Sequence, residues 1–254
     1  MQGRVPFAAM STFGERDVPE QSKKTFVITG ANSGIGYEAA LVLAKKGADV
    51  ILACRSVDKA EAAVGLLRTA VPDAKLSVRA LDLSDLASVR AFAERFAGEH
   101  DRLDCLINNA GVMALPRTLT KDGFEMQIGT NHLGHFALTG LLLERLSAAP
   151  HARVVTVSSQ AHRVGSIDFD DMMGERRYDK WRAYGQSKLA NLLFTLGLSR
   201  RLAETHRHVL AVAAHPGYAA TDLQRRGPEA EKSRLMGSLM AASNAIFAQS
   251  ASKG

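Results

Sequence analysis

The sequence predicts one α/β domain, a single doubly wound parallel sheet with helices on both faces. Three observations predict it. Short runs of β-branched and apolar residues alternate with stretches whose apolar residues recur at helical spacing. The runs are apolar throughout, as in strands that are covered on both faces. No repeat, linker or change of composition divides the 254 residues, a length that one large domain with a full core can use.

The elements follow in order. "KTFVITG" at 24–30 reads as the first strand, and "GIGYEAALVLAKKG" continues as a helix. "DVILACR" at 49–55 is the second strand, followed by a helix that Ser56 begins. "KLSVRALDL" at 75–83 is the third, and Ser84 is the expected N-cap of the helix after it. "LDCLINNAG" at 103–111 is the fourth, with a long helical stretch from Lys121 to Ser147. "ARVVTVSS" is the fifth strand, "AYGQSKLAN" lies on a helix, and "HVLAVAAHPG" at 208–217 is the sixth strand. Residues 1–22 read as a flexible tail and 23–254 as the domain. A polar loop and a helix end the chain with no seventh strand, as in a domain cut short at its C-terminal end.

Composition narrows the function classes. The net charge of +6 comes from scattered, mixed charges such as "GERRYDKWR", and aromatics are only 6%. That pattern is a solvated surface and argues against a nucleic-acid partner. No apolar run approaches the roughly 20 residues of a transmembrane helix. The opening lacks a basic start followed by a long apolar stretch, so no secretory signal is expected and a cytoplasmic location fits. Cys54 and Cys105 sit inside apolar strands with no C-x-x-C, which predicts buried, reduced thiols and no structural zinc.

"TGANSGIG" at 29–36 joins the first strand to the first helix, at the sheet edge where open α/β folds bind ligands. Gly30 turns the chain, while Gly34 and Gly36 are expected to let backbone approach a pyrophosphate at the helix N-terminus, beside Ser33 and Ile35. This is a Rossmann-type nucleotide site with G-x-x-x-G-x-G spacing. An NAD site carries an acid at the end of the second strand to hold the ribose 2′-hydroxyl. Here stand Arg55 and Ser56, with Lys59 beside them, a set suited to a 2′-phosphate. NADP(H) is therefore the expected cofactor. Asp82 and Leu83 are placed for the adenine, and Asn109, Ala110 and Gly111 for the groove wall.

Tyr184 and Lys188 lie four residues apart, so both project from one helical face. With "TGANSGIG", "DL" at 82–83, "NNAG", Asn131 in "TNHLGHF", Ser159, "YGQSK" and "HPGYAAT" at 215–221, they make the chain resemble the short-chain dehydrogenase/reductase family over about 190 residues, in the family's order. "ACRS" and "NHLGHF" further resemble the subgroup of retinol dehydrogenases, protochlorophyllide reductases and WW-domain oxidoreductases. The resemblance implies that a hydride passes between the nicotinamide and a small-molecule carbonyl or alcohol. Tyr184 would be the acid/base, and Lys188 would lower its pKa and hold the ribose. Ser159, rather than Ser158, would bond the reacting oxygen, and Asn131 would hold a water leading to solvent. Pro216, Gly217 and Thr221 would secure the carboxamide. A nearby ammonium and an oxidised nicotinamide both favour the phenolate; a fall of about 3 units from the free value corresponds to roughly 4 kcal/mol. Family members pair through the helices after strands four and five, which implies a homodimer or homotetramer.

Other signals are weaker. His132 and His135 have no third ligand in view, so no metal is expected, and "DFDDMMGE" at 168–175 lacks EF-hand spacing. That segment, with Met172, Met173 and Trp181, is expected to wall the substrate pocket. Leu189, Leu192, Leu193 and Leu196 read as core or as a subunit interface. Two other functions compete: a non-catalytic NADP(H)-binding sensor or scaffold, and a nucleotide-sugar epimerase or dehydratase. The epimerase needs a larger substrate domain than the segment after Thr221 offers.

Overall fold

Six strands lie parallel in one sheet: β1 (Thr25–Thr29), β2 (Asp49–Cys54), β3 (Lys75–Ala80), β4 (Cys105–Asn108), β5 (Arg153–Val157) and β6 (Leu210–Ala214). Their order is β3-β2-β1-β4-β5-β6. The computed structural model describes residues 13–205 and 207–217. The order reverses between β1 and β4, so the connections leave their carboxyl ends in opposite directions and open a crevice there.

Two apolar layers hold the helices to the sheet. α1 (Gly34–Lys45) and α2 (Val57–Ala70) pack Ala40, Ala44, Val64 and Leu67 against Ile28, Val50 and Leu52. α3 (Leu86–Glu99), α5 (Gly134–Ser147) and α6 (Lys180–Glu204) cover the other face, where Phe92, Phe96, Leu142 and Leu202 meet Val27, Ile51, Leu106 and Val154. Strand residues thus alternate between two cores, which is why both faces had to be apolar. α4 (Met126–Ile128) is a single turn, and a π-helical turn, Gly129–Leu133, joins it to α5.

Several boundaries differ from the sequence expectation. Ser84 does not cap α3. Asp85 does, accepting from Ala87 N at 2.9 Å and Ser88 N at 3.3 Å, while Ser84 donates its hydroxyl to Asp82 at 2.6 Å. Ser56 caps α2 as expected, accepting from Lys59 N at 3.4 Å. The third, fourth and sixth strands stop at Ala80, Asn108 and Ala214, because the residues beyond leave the ladder as loops at the carboxyl edge. No helix starts at Lys121: residues 120–125 form a tight loop through Gly123 at φ +83°, with Thr120 N donating to Phe124 O. Residues ahead of Lys23 already bond to the domain. Glu15 pairs with Lys45 at 3.0 Å, and Gln21 N donates to Lys46 O at 2.8 Å. The polar loop and helix expected after the sixth strand lie outside the described residues. Among the described residues, no helix is long and apolar enough to cross a membrane.

Candidate active site

At the carboxyl ends of β1, β4 and β5 lies a cavity of about 330 Å³. By the order of the strands they follow, one end is lined by Asp82 and Leu83 with Arg55, Ser56 and Lys59, and the middle by Gly30, Ser33, Gly34 and Ile35, with Asn109, Ala110 and Gly111 beside them. The other end holds Ser159, Tyr184 and Lys188, with Pro216 and Gly217 nearby. Thr221 falls outside the described residues. Gly30 and Gly34 have φ of +67° and +58°, where a side chain costs about 1–2 kcal/mol.

Gly36 and Asn131 do not line the cavity. A methyl group at Gly36 would stand 2.6 Å from Asn109 Nδ2 and 2.8 Å from Gly30 O, so this glycine serves close packing of α1 behind the loop. Asn131 is fully buried in the π-helical turn. Its Oδ1 accepts from Val112 N at 2.7 Å, and its Nδ2 donates to Val112 O and Ser187 Oγ, both at 2.9 Å. The side chain therefore clasps the loop after β4 to the helix that carries Tyr184.

A second buried group extends this clasp. His135 Nδ1 lies 3.0 Å from Asn131 O, which can only accept, so Nδ1 carries the proton. Nε2 then accepts from the Thr29 hydroxyl at 2.9 Å. Thr29 Oγ1 in turn accepts from Asn109 N and Ala110 N, each at 2.9 Å, and Asn109 Nδ2 donates to Thr29 O at 2.8 Å. Asn109 thus spends its side chain on the glycine loop. Burial, reinforced by the Lys188 and His132 charges, holds His135 down at about 4, against 6.5 for a free imidazole.

That shift carries a pH dependence. Between pH 6.5 and 4 the unfolded chain binds a proton at this position and the native chain does not, so stability falls as pH falls. The loss from this one residue approaches roughly 3 kcal/mol at the low end and vanishes above the free-imidazole pKa. Urea unfolding followed across this range is expected to show a shallower decline for His135→Gln than for the natural protein. Equal slopes would mean that other groups carry it.

At the Ser159 end, Tyr184 is 4% exposed, and Lys188 Nζ stands 5.8 Å from its ring centre. Lys188 is buried, donates to Val157 O at 3.1 Å, and burial lowers its pKa to about 8. The expected depression of the Tyr184 pKa does not come from the protein's own groups. Burial raises it, and a hydrogen bond with Ser159 opposes the rise. The Lys188 ammonium is directed at the Val157 carbonyl and is not among the causes of the Tyr184 shift. Ser159 is held by its own turn, with Ala161 N donating to its Oγ at 3.3 Å. Ser158 also borders the cavity, but its hydroxyl is spent, donating to Lys188 O at 2.8 Å.

The cavity suits a dinucleotide. Two left-handed glycines open its floor at the N-terminus of α1, and Lys188 has Val157 O as its one protein hydrogen-bond acceptor among the described residues, leaving donors for ribose hydroxyls. Asp82 is the one acid in the lining, and its Oδ1 is already taken by Ser84. Arg55 is exposed and has no ion-pair partner among the described residues. The apolar wall differs from expectation: Trp181 lines the cavity, but Met113 and Met126 do so in place of Met172 and Met173. Met173 Sδ instead accepts from Glu125 N at 3.3 Å, and Met172 O from Gln186 Nε2 at 3.0 Å. Sequence reasoning also missed Gly165 and Gly185. A methyl at Gly185 would meet Ala161 O at 3.0 Å, so the glycine after Tyr184 admits the serine-bearing turn.

Comparison with known proteins gives a consistent picture. Residues 24–232 match the family described as short chain dehydrogenase. Retinol dehydrogenase 12 of Mus musculus is 54% identical over 202 residues, 80% of this chain and 63% of that protein. Retinol dehydrogenase 13 of Homo sapiens is 51% identical over 203 residues, 80% of this chain and 61% of that protein. The chain therefore spans less than two thirds of the length of these relatives. An uncharacterized protein from Mycobacterium paratuberculosis has a crystal structure 49% identical in sequence, with a TM-score of 0.75 over 91% of this chain and 81% of that one. An NAD(P) dependent gluconate 5-dehydrogenase from Beutenbergia cavernae, with bound NADP at low occupancy, is 25% identical, with a TM-score of 0.67 over 92% and 86%.

Proposed function

The chain belongs to the short chain dehydrogenase family, and from that premise we propose that it is an NADP(H)-dependent oxidoreductase acting on a carbonyl or alcohol substrate. The observation that carries this is one cavity holding Ser159, Tyr184 and Lys188 at one end and Arg55 at the other, with the glycine turn between. A bound nicotinamide supplies or accepts the hydride. Arg55, Ser56 and Lys59 hold the 2′-phosphate, and the α1 N-terminus holds the pyrophosphate. Asp82 and Leu83 flank the adenine. Pro216, Gly217 and Thr221 hold the carboxamide.

The chain's own residues handle the proton. Because burial raises the Tyr184 pKa, the phenol is protonated at neutral pH and is ready to donate to a carbonyl oxygen. Ser159 hydrogen-bonds the same oxygen as charge develops on it. Lys188 positions the ribose, and Asn131, whose side chain is spent on Val112 and Ser187, steadies the helix that carries it rather than holding a water. A pure binding role would leave Ser159, Tyr184 and Lys188 without a task. The retinol dehydrogenase relatives and the Met113–Met126–Trp181 wall favour an apolar aldehyde or alcohol.

Phe136, Leu141, Leu193 and Leu196 leave apolar side chains exposed on α5 and α6. They support pairing of copies into a homodimer, or of two such dimers into a homotetramer. The free, buried Cys54 and Cys105 agree with a reducing cytoplasmic location.

Titrating NADPH and NADH separately while following nicotinamide fluorescence tests the cofactor. Tight NADPH and weak NADH binding is expected. Equal affinities would overturn the role of Arg55, and no binding of either would overturn the oxidoreductase function.

A further inference from the structure

The apolar end of the cavity is built from three separate segments, and one buried amide touches the backbone beside all three. Met113, Met126 and Trp181 line this end. Gln127, with no exposed surface, follows Met126 directly. Its Oε1 accepts from Ala114 N at 2.8 Å, the residue after Met113. Its Nε2 donates to Lys180 O at 2.9 Å, the residue before Trp181. Ala114 has φ +52°, a left-handed conformation that side chains avoid and that this bond helps to hold.

The amide is itself locked. Gln127 Nε2 also donates to the Tyr178 hydroxyl at 2.9 Å. That hydroxyl has Leu115 O at 3.0 Å and Glu125 Oε1 at 2.9 Å within reach of its single proton. Glu125 is 1% exposed, and its carboxylate accepts from Gln127 N at 3.0 Å and Ile128 N at 2.8 Å. The bonded atoms tie the loop after β4 and the loop before α6 to the single turn of α4. A buried, satisfied polar network of this kind allows one arrangement of the backbone, because any shift leaves an unpaired amide in the interior.

We propose that Gln127 is a positioning residue for the substrate: held by Tyr178 and Glu125, it sets the spacing of Met113, Met126 and Trp181 and thereby the size of carbonyl compound that is accepted. This rests on the oxidoreductase function proposed above.

The test compares Gln127→Met and the milder Tyr178→Phe with the natural protein. In NADPH-dependent reduction, the preference for octanal over propanal, as a ratio of kcat/KM values, is expected to fall about tenfold for Gln127→Met and less for Tyr178→Phe. The dissociation constant for NADPH is expected not to change. A merely structural role would lower the melting temperature and leave the ratio alone, and that result would overturn the proposal. Trp181 is the one tryptophan in the chain, so its fluorescence reads the wall without turnover. Acrylamide quenching of Trp181 is expected to increase in both variants; unchanged quenching would also overturn the proposal. If the natural protein reduces neither aldehyde, the oxidoreductase function fails, while the quenching still decides whether Gln127 sets the wall.

Discussion

Replacing Tyr184 with phenylalanine is expected to lower kcat by about a thousandfold while NADPH affinity stays within about threefold. The change removes one oxygen from a ring that is 4% exposed, so packing of α6 is preserved. What disappears is the proton donor in the cavity and its hydrogen bond with Ser159. Lys188 does not occupy the same place: its Nζ stands 5.8 Å from the Tyr184 ring centre and donates to Val157 O at 3.1 Å. Stopped-flow loss of NADPH absorbance with a saturating aldehyde would measure the chemical step, and fluorescence titration would measure binding. Retained turnover would remove Tyr184 from the chemistry. Lost NADPH binding would mean that the phenol holds the nucleotide rather than the proton.

Arg55→Asp is expected to reverse the cofactor preference, shifting the ratio of NADPH to NADH affinity by roughly a hundredfold or more. A phosphate loses charge-assisted bonds worth about 1.5–3 kcal/mol and meets a like charge in their place. The new carboxylate can instead accept from a ribose 2′-hydroxyl. Arg55 is exposed, immediately after β2, so the fold is expected to keep its stability to within about 0.5 kcal/mol. Separate titrations with the two nucleotides measure the effect. An equal loss for both would show that Arg55 attracts the pyrophosphate generally and does not select the phosphate.

Much of the site was legible because its signals are local. The "TGANSGIG" turn needs glycine at positions of positive φ, and Gly30 and Gly34 have it. Tyr184 and Lys188 share a helical face by their spacing alone. Ser56 was recognisable as a cap, but Ser84 was not distinguishable from Asp85, since either side chain can bond the first amides of a helix. Gly36 looked like part of a phosphate cradle, and only the position of Asn109 shows that it serves packing. Met172 and Met173 stood in the right segment, yet a loop's internal turn decides which of its side chains face a pocket. Here Asp171 accepts from the amides of Glu175, Arg176 and Arg177 and closes that turn.

The sequence by itself determined the parallel sheet, its helical cover, the glycine turn after β1 and the Tyr184–Lys188 pair on one helix face. These follow from periodicity, backbone conformation and side-chain chemistry within a few neighbouring positions. Only the tertiary structure decided that His135 reaches Thr29 across 106 residues, that Asn131 joins Ser187 across 56, and that Gln127 meets Tyr178 across 51. It also decided the direction of the Tyr184 shift, which burial sets and the neighbouring lysine does not. The reason is common to all of them. A polar group taken from water must find whatever partner the packing brings near, and that partner is chosen by the fold rather than by position along the chain.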